Sequence, residues 1–205
     1  MAMPTTAPPG TALFLKRWLR RPLAVGAVVP SGRWLTDRMA RTTIAAMKGL
    51  PGHVIELGAG TGHVTRALLS SGIPADRLAL IERDPEMAGF LRRHFPGPRI
   101  IEGDAARLPQ LLATQGIDQV AAVVSSLPLL SLPAEVVDGI VRGVFDALPR
   151  GGAMVQFTYG PSPPVPQILR ESLKLSGTCS ARIWRNVPPA VVWTFTRPLE
   201  SQTAT

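Results

Sequence analysis

The feature that most constrains the fold is the alternation of short apolar runs with amphipathic segments after residue 52. Segments with helical periodicity separate the apolar runs, at about residues 61–71, 84–94, 104–114 and 133–147. Strands that alternate with helices at this spacing predict a parallel sheet covered by helices on both faces. The predicted strands are His53–Leu57, Leu78–Glu82, Arg99–Glu102, Val120–Ser125 and Ala153–Thr158.

The two ends of the chain follow different patterns. Near the C-terminus, Cys179–Arg185 and Val191–Phe195 read as two strands that pair and add an antiparallel hairpin to the sheet. Before the first strand, a helix is predicted from Ser31 to about Lys48. The predicted fold class is therefore α/β, a Rossmann-like and mostly parallel seven-stranded sheet with a C-terminal antiparallel hairpin and N-terminal helices.

A glycine-rich run, Glu56-Leu57-Gly58-Ala59-Gly60-Thr61-Gly62, follows the first predicted strand and opens a predicted helix. Glycines at such a turn let the backbone bend sharply and approach a ligand closely. Glu82 ends the second predicted strand, 20 residues after Gly62 (82 − 62 = 20). This is the spacing of a carboxylate that accepts hydrogen bonds from ribose hydroxyls. The run and the acid together predict a site for a nucleotide-like cofactor.

Three details narrow the choice of cofactor. The glycines are spaced G-x-G-x-G, the acid Glu56 precedes them, and Glu102-Gly103-Asp104-Ala105 follows the third strand. A carboxylate at Glu56 would repel a pyrophosphate but tolerate a cationic sulfonium and ammonium. The loop resembles the E/D-x-G-x-G-x-G loop of class I methyltransferases, which implies S-adenosylmethionine as cofactor and S-adenosylhomocysteine as product. By the same resemblance, Asp104 contacts the adenine amino group.

The expected cofactor-binding residues lie at the ends of the first four strands. They are Glu56, Gly58, Ala59, Gly60, Thr61, Gly62, Glu82, Arg83, Gly103, Asp104, Ala105 and Ser125.

The methyl acceptor is expected at the carboxyl ends of the fourth and fifth strands. The sequence there reads Ser125-Ser126-Leu127-Pro128-Leu129 and Gln156-Phe157-Thr158-Tyr159. The first segment resembles the N-L-P-Y motif of rRNA adenine dimethyltransferases, in which the aromatic residue stacks on a flipped base. Here Ser126 replaces the Asn and Leu129 replaces the Tyr, which counts against a nucleobase as substrate.

The chain resembles the bacterial phospholipid N-methyltransferases over about residues 13–197. The most diagnostic segments are Val25–Ser31 and Ser126–Leu129, beside the glycine run and the acids that follow it. The resemblance implies methylation of the head-group amine of phosphatidylethanolamine and its methylated intermediates toward phosphatidylcholine. Ornithine-lipid N-methyltransferase and RNA or rRNA adenine N6-methyltransferase remain alternatives, while the intact cofactor motifs argue against a non-enzymatic interaction protein.

Under this resemblance, the expected catalytic residues are Tyr159, Ser126 and Leu127. Methyl transfer is an in-line displacement by an amine lone pair, so catalysis requires positioning and electrostatics but no covalent intermediate. An aromatic ring such as that of Tyr159 stabilises an ammonium by ~0.5–2 kcal/mol. The residues expected to bind the lipid are Ser31, Arg33, Pro128, Tyr159, Arg182 and Arg185.

The charge distribution indicates an anionic partner. The net charge is +8 at pH 7 although only 18% of residues are charged. Residues 1–10 and 198–205 are predicted to be disordered, residues 11–50 to form a helical membrane-binding extension, and residues 51–197 to form the methyltransferase domain. A helix over residues 11–21 would separate apolar from basic side chains. Its expected membrane-binding residues are Phe14, Lys16, Arg17, Trp18, Arg20 and Arg21.

These features predict a cytoplasmic protein that is peripheral on the inner face of the bacterial cytoplasmic membrane. Its expected partners are an anionic membrane surface and the phospholipid substrate, not DNA, and RNA only under the adenine-methyltransferase alternative. No Cys and His cluster has zinc-ligand spacing, so no metal is expected. The single cysteine, Cys179, lies among strand-like residues and is expected to be a buried thiol. The sequence carries no signal for an oligomeric state.

Deletion of residues 1–22 tests the membrane-binding role of the N-terminal segment. Each basic residue near an anionic surface contributes about 1 kcal/mol, so the deletion should weaken binding to anionic vesicles at least about tenfold. Vesicle co-sedimentation measures the change. A full-length variant with Lys16, Arg17, Arg20 and Arg21 changed to Gln should lose a similar part of the binding, and an unchanged partition coefficient in the deletion would contradict the anchor.

Overall fold

The computed structural model describes residues 31–159, 162–180, 183 and 189–199. Within these ranges the chain forms six α-helices and seven β-strands. In chain order they are α1 (Ser31–Met47), β1 (His53–Leu57), α2 (His63–Ser70), β2 (Leu78–Glu82), α3 (Pro85–His94), β3 (Arg99–Glu102), α4 (Leu108–Thr114), β4 (Val120–Ser125), α5 (Ala134–Ala147), β5 (Ala153–Thr158), α6 (Gln167–Ser172), β6 (Ser176–Cys179) and β7 (Val191–Thr196). Short 3-10 turns occupy Ala75–Arg77, Ala105–Arg107 and Leu129–Ser131.

The seven strands form one sheet in the order β3-β2-β1-β4-β5-β7-β6. Strands β1 to β5 are parallel, and β7 runs antiparallel to both of its neighbours, β5 and β6. The strand order reverses between β1 and β4, and open α/β sheets bind ligands outside the carboxyl ends of the strands at such a reversal. The predicted Rossmann-like architecture with a C-terminal antiparallel hairpin is confirmed.

Helices cover both faces of the sheet and produce two hydrophobic cores. Val54 of β1 packs in one core with residues from α1 and α2, whereas Ile55 packs in the other with residues from α4 and α5. The central strands are therefore apolar on both faces, which explains why their sequences are continuous hydrophobic runs. Each large aliphatic side chain buried in this way contributes about 1.5–3 kcal/mol.

Strands β1 to β5 begin and end at the predicted residues, whereas two predicted helices begin later. The helix predicted from residue 61 starts at His63, because Gly62 has a left-handed φ of 76°. The helix predicted from residue 104 starts at Leu108, after the 3-10 turn that Asp104 caps. Pro109 suits the first turn of α4, where a missing N–H costs nothing.

The predicted strand Cys179–Arg185 begins too late, because the observed edge strand β6 is Ser176–Cys179. Beyond β6 the Ser180 N–H donates to the Val192 carbonyl at 2.8 Å and Ile183 bridges Ala190, while residues 181, 182, 184 and 185 lie outside the described residues. All four residues of β6 are exposed, so the strand has no hydrophobic alternation that could mark it in the sequence. Cys179 is exposed as well, and the expectation of a buried thiol is therefore wrong.

Helix α1 packs on the sheet instead of extending away from it. Its buried side chains Leu35, Met39 and Ala40 share a core with residues of β4, β5 and β7. Residues 31–47 thus belong to the layer that covers the sheet, although the predicted domain boundary was placed after them. Residues 11–30, with the predicted amphipathic helix, lie outside the described residues. No helix within the described ranges is long and apolar enough to cross a membrane.

A pair of substitutions in α1 measures how firmly this helix is docked. Met39 is fully buried, so Met39→Ala should lower the free energy of unfolding by about 2–4 kcal/mol. Ile44→Ala, on the exposed side of the same helix, should cost less than about 1 kcal/mol. Urea denaturation measures both values, and equal losses would show that α1 does not pack on the sheet.

Candidate active site

The glycine run joins β1 to α2 at the reversal of strand order. Gly58, Gly60 and Gly62 have φ values of 69°, 53° and 76°, a left-handed conformation that favours glycine. Glycine is also needed for space, because a Cβ at Gly58 would lie 2.6 Å from Leu127 Cδ2 and one at Gly62 would overlap the Phe95 ring. Among the described residues other than its two chain neighbours, none has an atom within 4 Å of a Cβ built at Gly60, so that side of the loop is open to them.

Glu82 braces this loop from the neighbouring strand. Its Oε2 accepts a hydrogen bond from the Gly60 N–H at 2.8 Å, and its Oε1 accepts one from the Asp84 N–H at 2.9 Å. The carboxylate is buried and both oxygens have donors. Each oxygen retains a second lone pair that can accept a further hydrogen bond. The acid predicted from spacing therefore lies against the glycine run and also holds the run in shape.

Glu56 is buried without full hydrogen bonding. Its Oε2 accepts a hydrogen bond from Thr65 Oγ1 at 2.7 Å, whereas Oε1 has no partner among the described residues. Burial raises the pKa of the Glu56 carboxyl to about 8, partly offset by the Thr65 hydrogen bonds and reinforced by the charge of Glu82. A buried acceptor without a donor is costly, so a cationic group bound beside the loop would satisfy it.

Asp104 lies at the end of β3, beside the end of β2. Its Oδ1 accepts a hydrogen bond from the Ala106 N–H at 3.0 Å, and its Oδ2 lies 4.0 Å from the Arg83 guanidinium. The Asp104 side chain is 45% exposed and thus accessible to a ligand. Since the Gly103 N–H donates to the Glu82 carbonyl at 2.9 Å, the sheet pairing continues into this turn. The three predicted acids therefore lie on three neighbouring strands at one edge.

The loop after β4, which we call the acceptor loop (residues 126–131), lies against the glycine run. The Ser126 N–H donates to the Leu57 carbonyl at 3.0 Å, which extends the β1–β4 pairing by one residue. The Leu127 N–H donates to Ser125 Oγ at 3.3 Å, and Gln156 Nε2 donates to the Leu127 carbonyl at 2.9 Å. Leu129 is 3% exposed and belongs to a hydrophobic core.

An apolar cleft of about 270 Å³ lies beside this loop. The Tyr159 side chain is 51% exposed at its edge and packs edge-to-face on Phe157, with 5.3 Å between ring centroids. The cleft joins the acceptor loop to the end of β5 and brings Leu127, Pro128 and Tyr159 together. Its lining residues are Leu127, Pro128, Leu129, Leu130, Ser131, Phe157, Thr158, Tyr159 and Pro164.

Several residues of the site were not predicted. Phe157 of β5 lies two residues before Tyr159, which directly follows the strand, so period-2 alternation would have placed both rings on one face. Gln156 holds the acceptor loop through a hydrogen bond to Leu127, 29 residues away in sequence. Thr65 holds Glu56, 9 residues away in sequence. No local pattern indicates such contacts.

The remaining predicted residues lie away from the described cleft or cannot be placed. Arg33 is 88% exposed on α1, 4.0 Å from Asp37, and does not line the cleft. Thr61 Oγ1 lies 3.0 Å from His63 Nδ1 at the exposed rim of the glycine run, while Ala59 and Ala105 are buried. Ser31 is the first residue of α1. Arg182, Arg185 and the residues from Phe14 to Arg21 are outside the described residues. Among those described, no cluster of His, Cys, Asp and Glu could hold a metal ion.

Comparison with solved structures identifies the fold. The magnesium protoporphyrin IX methyltransferase of Synechocystis, solved with bound S-adenosylmethionine, covers 95% of this chain and 100% of its own with a TM-score of 0.64 and 13% identity. The 1,6-didemethyltoxoflavin-N1-methyltransferase of Burkholderia thailandensis covers 97% of this chain and 94% of its own, with a TM-score of 0.63 and 15% identity. At these identities the likeness concerns the fold.

Comparison of sequences identifies the family. No protein-family model matches the chain. An rRNA small subunit methyltransferase A of Anaeromyxobacter dehalogenans is 32% identical over 152 residues, but the match spans only 52% of that enzyme. The ornithine lipid N-methyltransferase of Singulisphaera acidiphila is 35% identical over 156 residues, which are 73% of this chain and 78% of that enzyme. The chain therefore belongs to the class I S-adenosylmethionine-dependent methyltransferases, in the family that contains this lipid N-methyltransferase.

Proposed function

We propose that this methyltransferase transfers a methyl group to the amine in the head group of a membrane lipid. The observation that carries the proposal is the apolar cleft that adjoins the glycine run through Leu127 and has the Tyr159 ring at its edge. Phosphatidylethanolamine and an ornithine lipid are the two candidate acceptors. The lipid N-methyltransferase that is 35% identical to this chain supports the lipid class.

The glycine run, Glu82 and Asp104 would hold S-adenosylmethionine. When bound, this cofactor supplies a methyl group on a sulfonium. The buried Glu56 Oε1, which has no donor within the described residues, fits the cationic part of such a molecule. The open side of Gly60 and the exposed side chain of Asp104 leave room for the remaining parts of the cofactor. These residues contribute binding and orientation, and none of them forms a covalent bond to the acceptor.

The acceptor amine must present a lone pair, so it has to lose its ammonium proton before the displacement. Oxygens of Ser126 in the acceptor loop are suitable to direct the amine. The Leu127 carbonyl already accepts hydrogen bonds from Gln156 Nε2 and from the Leu129 N–H, both at 2.9 Å, so Leu127 would contribute through the position of its backbone. The Tyr159 ring suits the positive charge that develops on nitrogen. Apolar side chains around the cleft exclude water and can contact the hydrocarbon part of a lipid.

A base as acceptor is less compatible with this site. Leu129 occupies the position that the stacking Tyr has in the N-L-P-Y motif, and its side chain is buried in the core. A buried aliphatic residue cannot stack on a flipped base. The rings that line the cleft, those of Phe157 and Tyr159, lie on β5 and directly after it.

The membrane location belongs to the same proposal. We infer that the enzyme works at the inner face of the cytoplasmic membrane, because the net charge of +8 favours an anionic surface. Arg33, Arg182 and Arg185 are the proposed contacts to lipid phosphate, and residues 11–21 the proposed membrane-binding helix.

A single labelling experiment distinguishes the acceptor classes. The protein is incubated with methyl-labelled S-adenosylmethionine and anionic vesicles of phosphatidylcholine and phosphatidylglycerol that contain either phosphatidylethanolamine or an ornithine lipid, or with ribosomal RNA. Label in either lipid supports the proposal and identifies the head group. Label in RNA alone, or in no acceptor, would overturn it.

Replacement of Asp104 tests the cofactor site. Loss of a hydrogen bond from a charged acceptor costs about 1.5–3 kcal/mol, so Asp104→Ala should weaken S-adenosylmethionine binding about 10- to 100-fold. Titration calorimetry measures the affinity. Asp118→Ala, at an exposed position before β4, is the matched control and should bind normally. Unchanged affinity in the Asp104 variant would remove this residue from the site.

Replacement of Tyr159 tests the acceptor site. Tyr159→Ala should abolish lipid methylation while the affinity for S-adenosylmethionine and the melting temperature stay close to those of the wild type. Tyr159→Phe retains the ring and should retain most activity if charge stabilisation by the ring is the main effect. Lipid methylation rates at saturating cofactor provide the comparison, and normal turnover of the Ala variant would exclude Tyr159 from catalysis.

Cofactor binding should release a proton from Glu56. In the protein without cofactor, the Glu56 carboxyl has a pKa of about 8 and is mostly protonated at pH 7, whereas a cationic ligand beside it favours the carboxylate. Affinity should therefore rise from pH 6 toward pH 8. Calorimetry at pH 7 in buffers of different ionisation enthalpy should show close to one proton released for the wild type and none for Glu56→Gln. Equal release by both proteins would contradict this role.

A further inference from the structure

The backbone of Leu127 (below, the Leu127 peptide) is held at its N–H and at its carbonyl by buried side chains. Its N–H donates to Ser125 Oγ at 3.3 Å, and its carbonyl accepts from Gln156 Nε2 at 2.9 Å. Ser125 and Gln156 are fully buried and are register partners at the ends of β4 and β5. Two adjacent strands thus fix both backbone polar groups of Leu127, and within the loop the Leu129 N–H donates to the same carbonyl at 2.9 Å.

Gln156 has a second contact that reaches the other wall of the cleft. Its Nε2 also donates to the Phe157 carbonyl at 2.9 Å, so both amide hydrogens are used on backbone carbonyls. Reversal of the amide would place its oxygen against these two carbonyls, so the observed orientation is the favourable one. One buried side chain therefore connects the acceptor loop with the segment that carries Tyr159.

The same peptide determines how close the acceptor loop lies to the cofactor loop. The Leu127 side chain packs on Gly58, where even a single added Cβ would lie 2.6 Å from Leu127 Cδ2. Movement of the Leu127 peptide would change this contact and the position of the acceptor loop together. In-line attack of the acceptor amine on the methyl group requires accurate placement of the amine, because an error of about 1 Å can lower the rate about 100-fold.

We propose that Gln156 is a positioning residue for methyl transfer. Gln156 and Ser125 jointly hold the Leu127 peptide and thereby place the acceptor amine relative to the glycine run. This inference rests on the proposed function, since it concerns the acceptor side of the same site. Gln156 contacts backbone atoms of the cleft walls and acts on the acceptor through them.

Gln156→Met removes both hydrogen bonds at nearly constant volume. We expect kcat for lipid methylation to fall about 10- to 100-fold, while the KM for lipid and the Kd for S-adenosylmethionine change less than about threefold. Gln167→Met, at an exposed position of α6, is the matched control and should leave all three constants unchanged. A kcat within twofold of wild type would overturn the proposal, as would a weaker cofactor affinity in proportion to the loss of rate.

Ser125→Ala provides a second, smaller perturbation of the same peptide. We expect Ser125→Ala to lower kcat about three- to tenfold. If the Gln156→Met variant does not fold, Ser125→Ala serves as the test variant in its place. In the double variant, the loss of rate should be smaller than the product of the two single losses, because both residues act through the Leu127 peptide. Independent, multiplicative losses would show that they do not.

Hydrogen–deuterium exchange keeps this test separate from the substrate assignment. In Gln156→Met, amides of residues 126–131 should exchange faster than in the wild type, whereas the strands should not change. If the wild type methylates no lipid, the proposed function is wrong, but the exchange result still shows whether Gln156 holds the acceptor loop. Unchanged amide exchange in the acceptor loop would overturn the positioning role of Gln156, even if the protein methylates a lipid.

Discussion

The position of β1 between β2 and β4 is the constraint on which the rest of the site depends. Parallel pairing on both sides places the carboxyl ends of these strands at one edge of the sheet. The glycine run, Glu82 and the acceptor loop leave the sheet at that edge, and the Ser126 N–H bonds to the Leu57 carbonyl as if the strand continued. Cofactor and acceptor elements therefore meet because of strand order, before any side chain contributes.

Buried polar groups then make this edge chemically distinct from the rest of the core. Glu56, Glu82, Ser125 and Gln156 are buried beside apolar strand positions. Glu82 through both oxygens and Gln156 through its amide nitrogen hold backbone groups, which offsets much of the desolvation cost, whereas Gln156 Oε1 has no donor among the described residues. Glu56 keeps one oxygen without a donor among the described residues, a cost that a ligand rather than the fold would relieve.

Much of this fold was predictable from sequence, and the failures have a common cause. Strands β1 to β5 were located correctly, because burial on both faces requires continuous apolar runs that are visible in the sequence. The start of the edge strand β6 was placed too late, because Ser176–Cys179 is exposed and has no such pattern. Helix α1 was recognised at its correct residues, but its packing on the sheet depends on which hydrophobic face meets which strand.

The sequence by itself determined the cofactor half of the site. Three glycines in left-handed conformation and acids at the ends of successive strands are local features, so their spacing along the chain is sufficient to identify them. Only the tertiary structure decided the acceptor half. The burial of Leu129 and the Gln156–Leu127 hydrogen bond, 29 residues apart, depend on the register of β4 and β5. Register is a relation between distant segments, which hydrophobic periodicity within one segment does not encode.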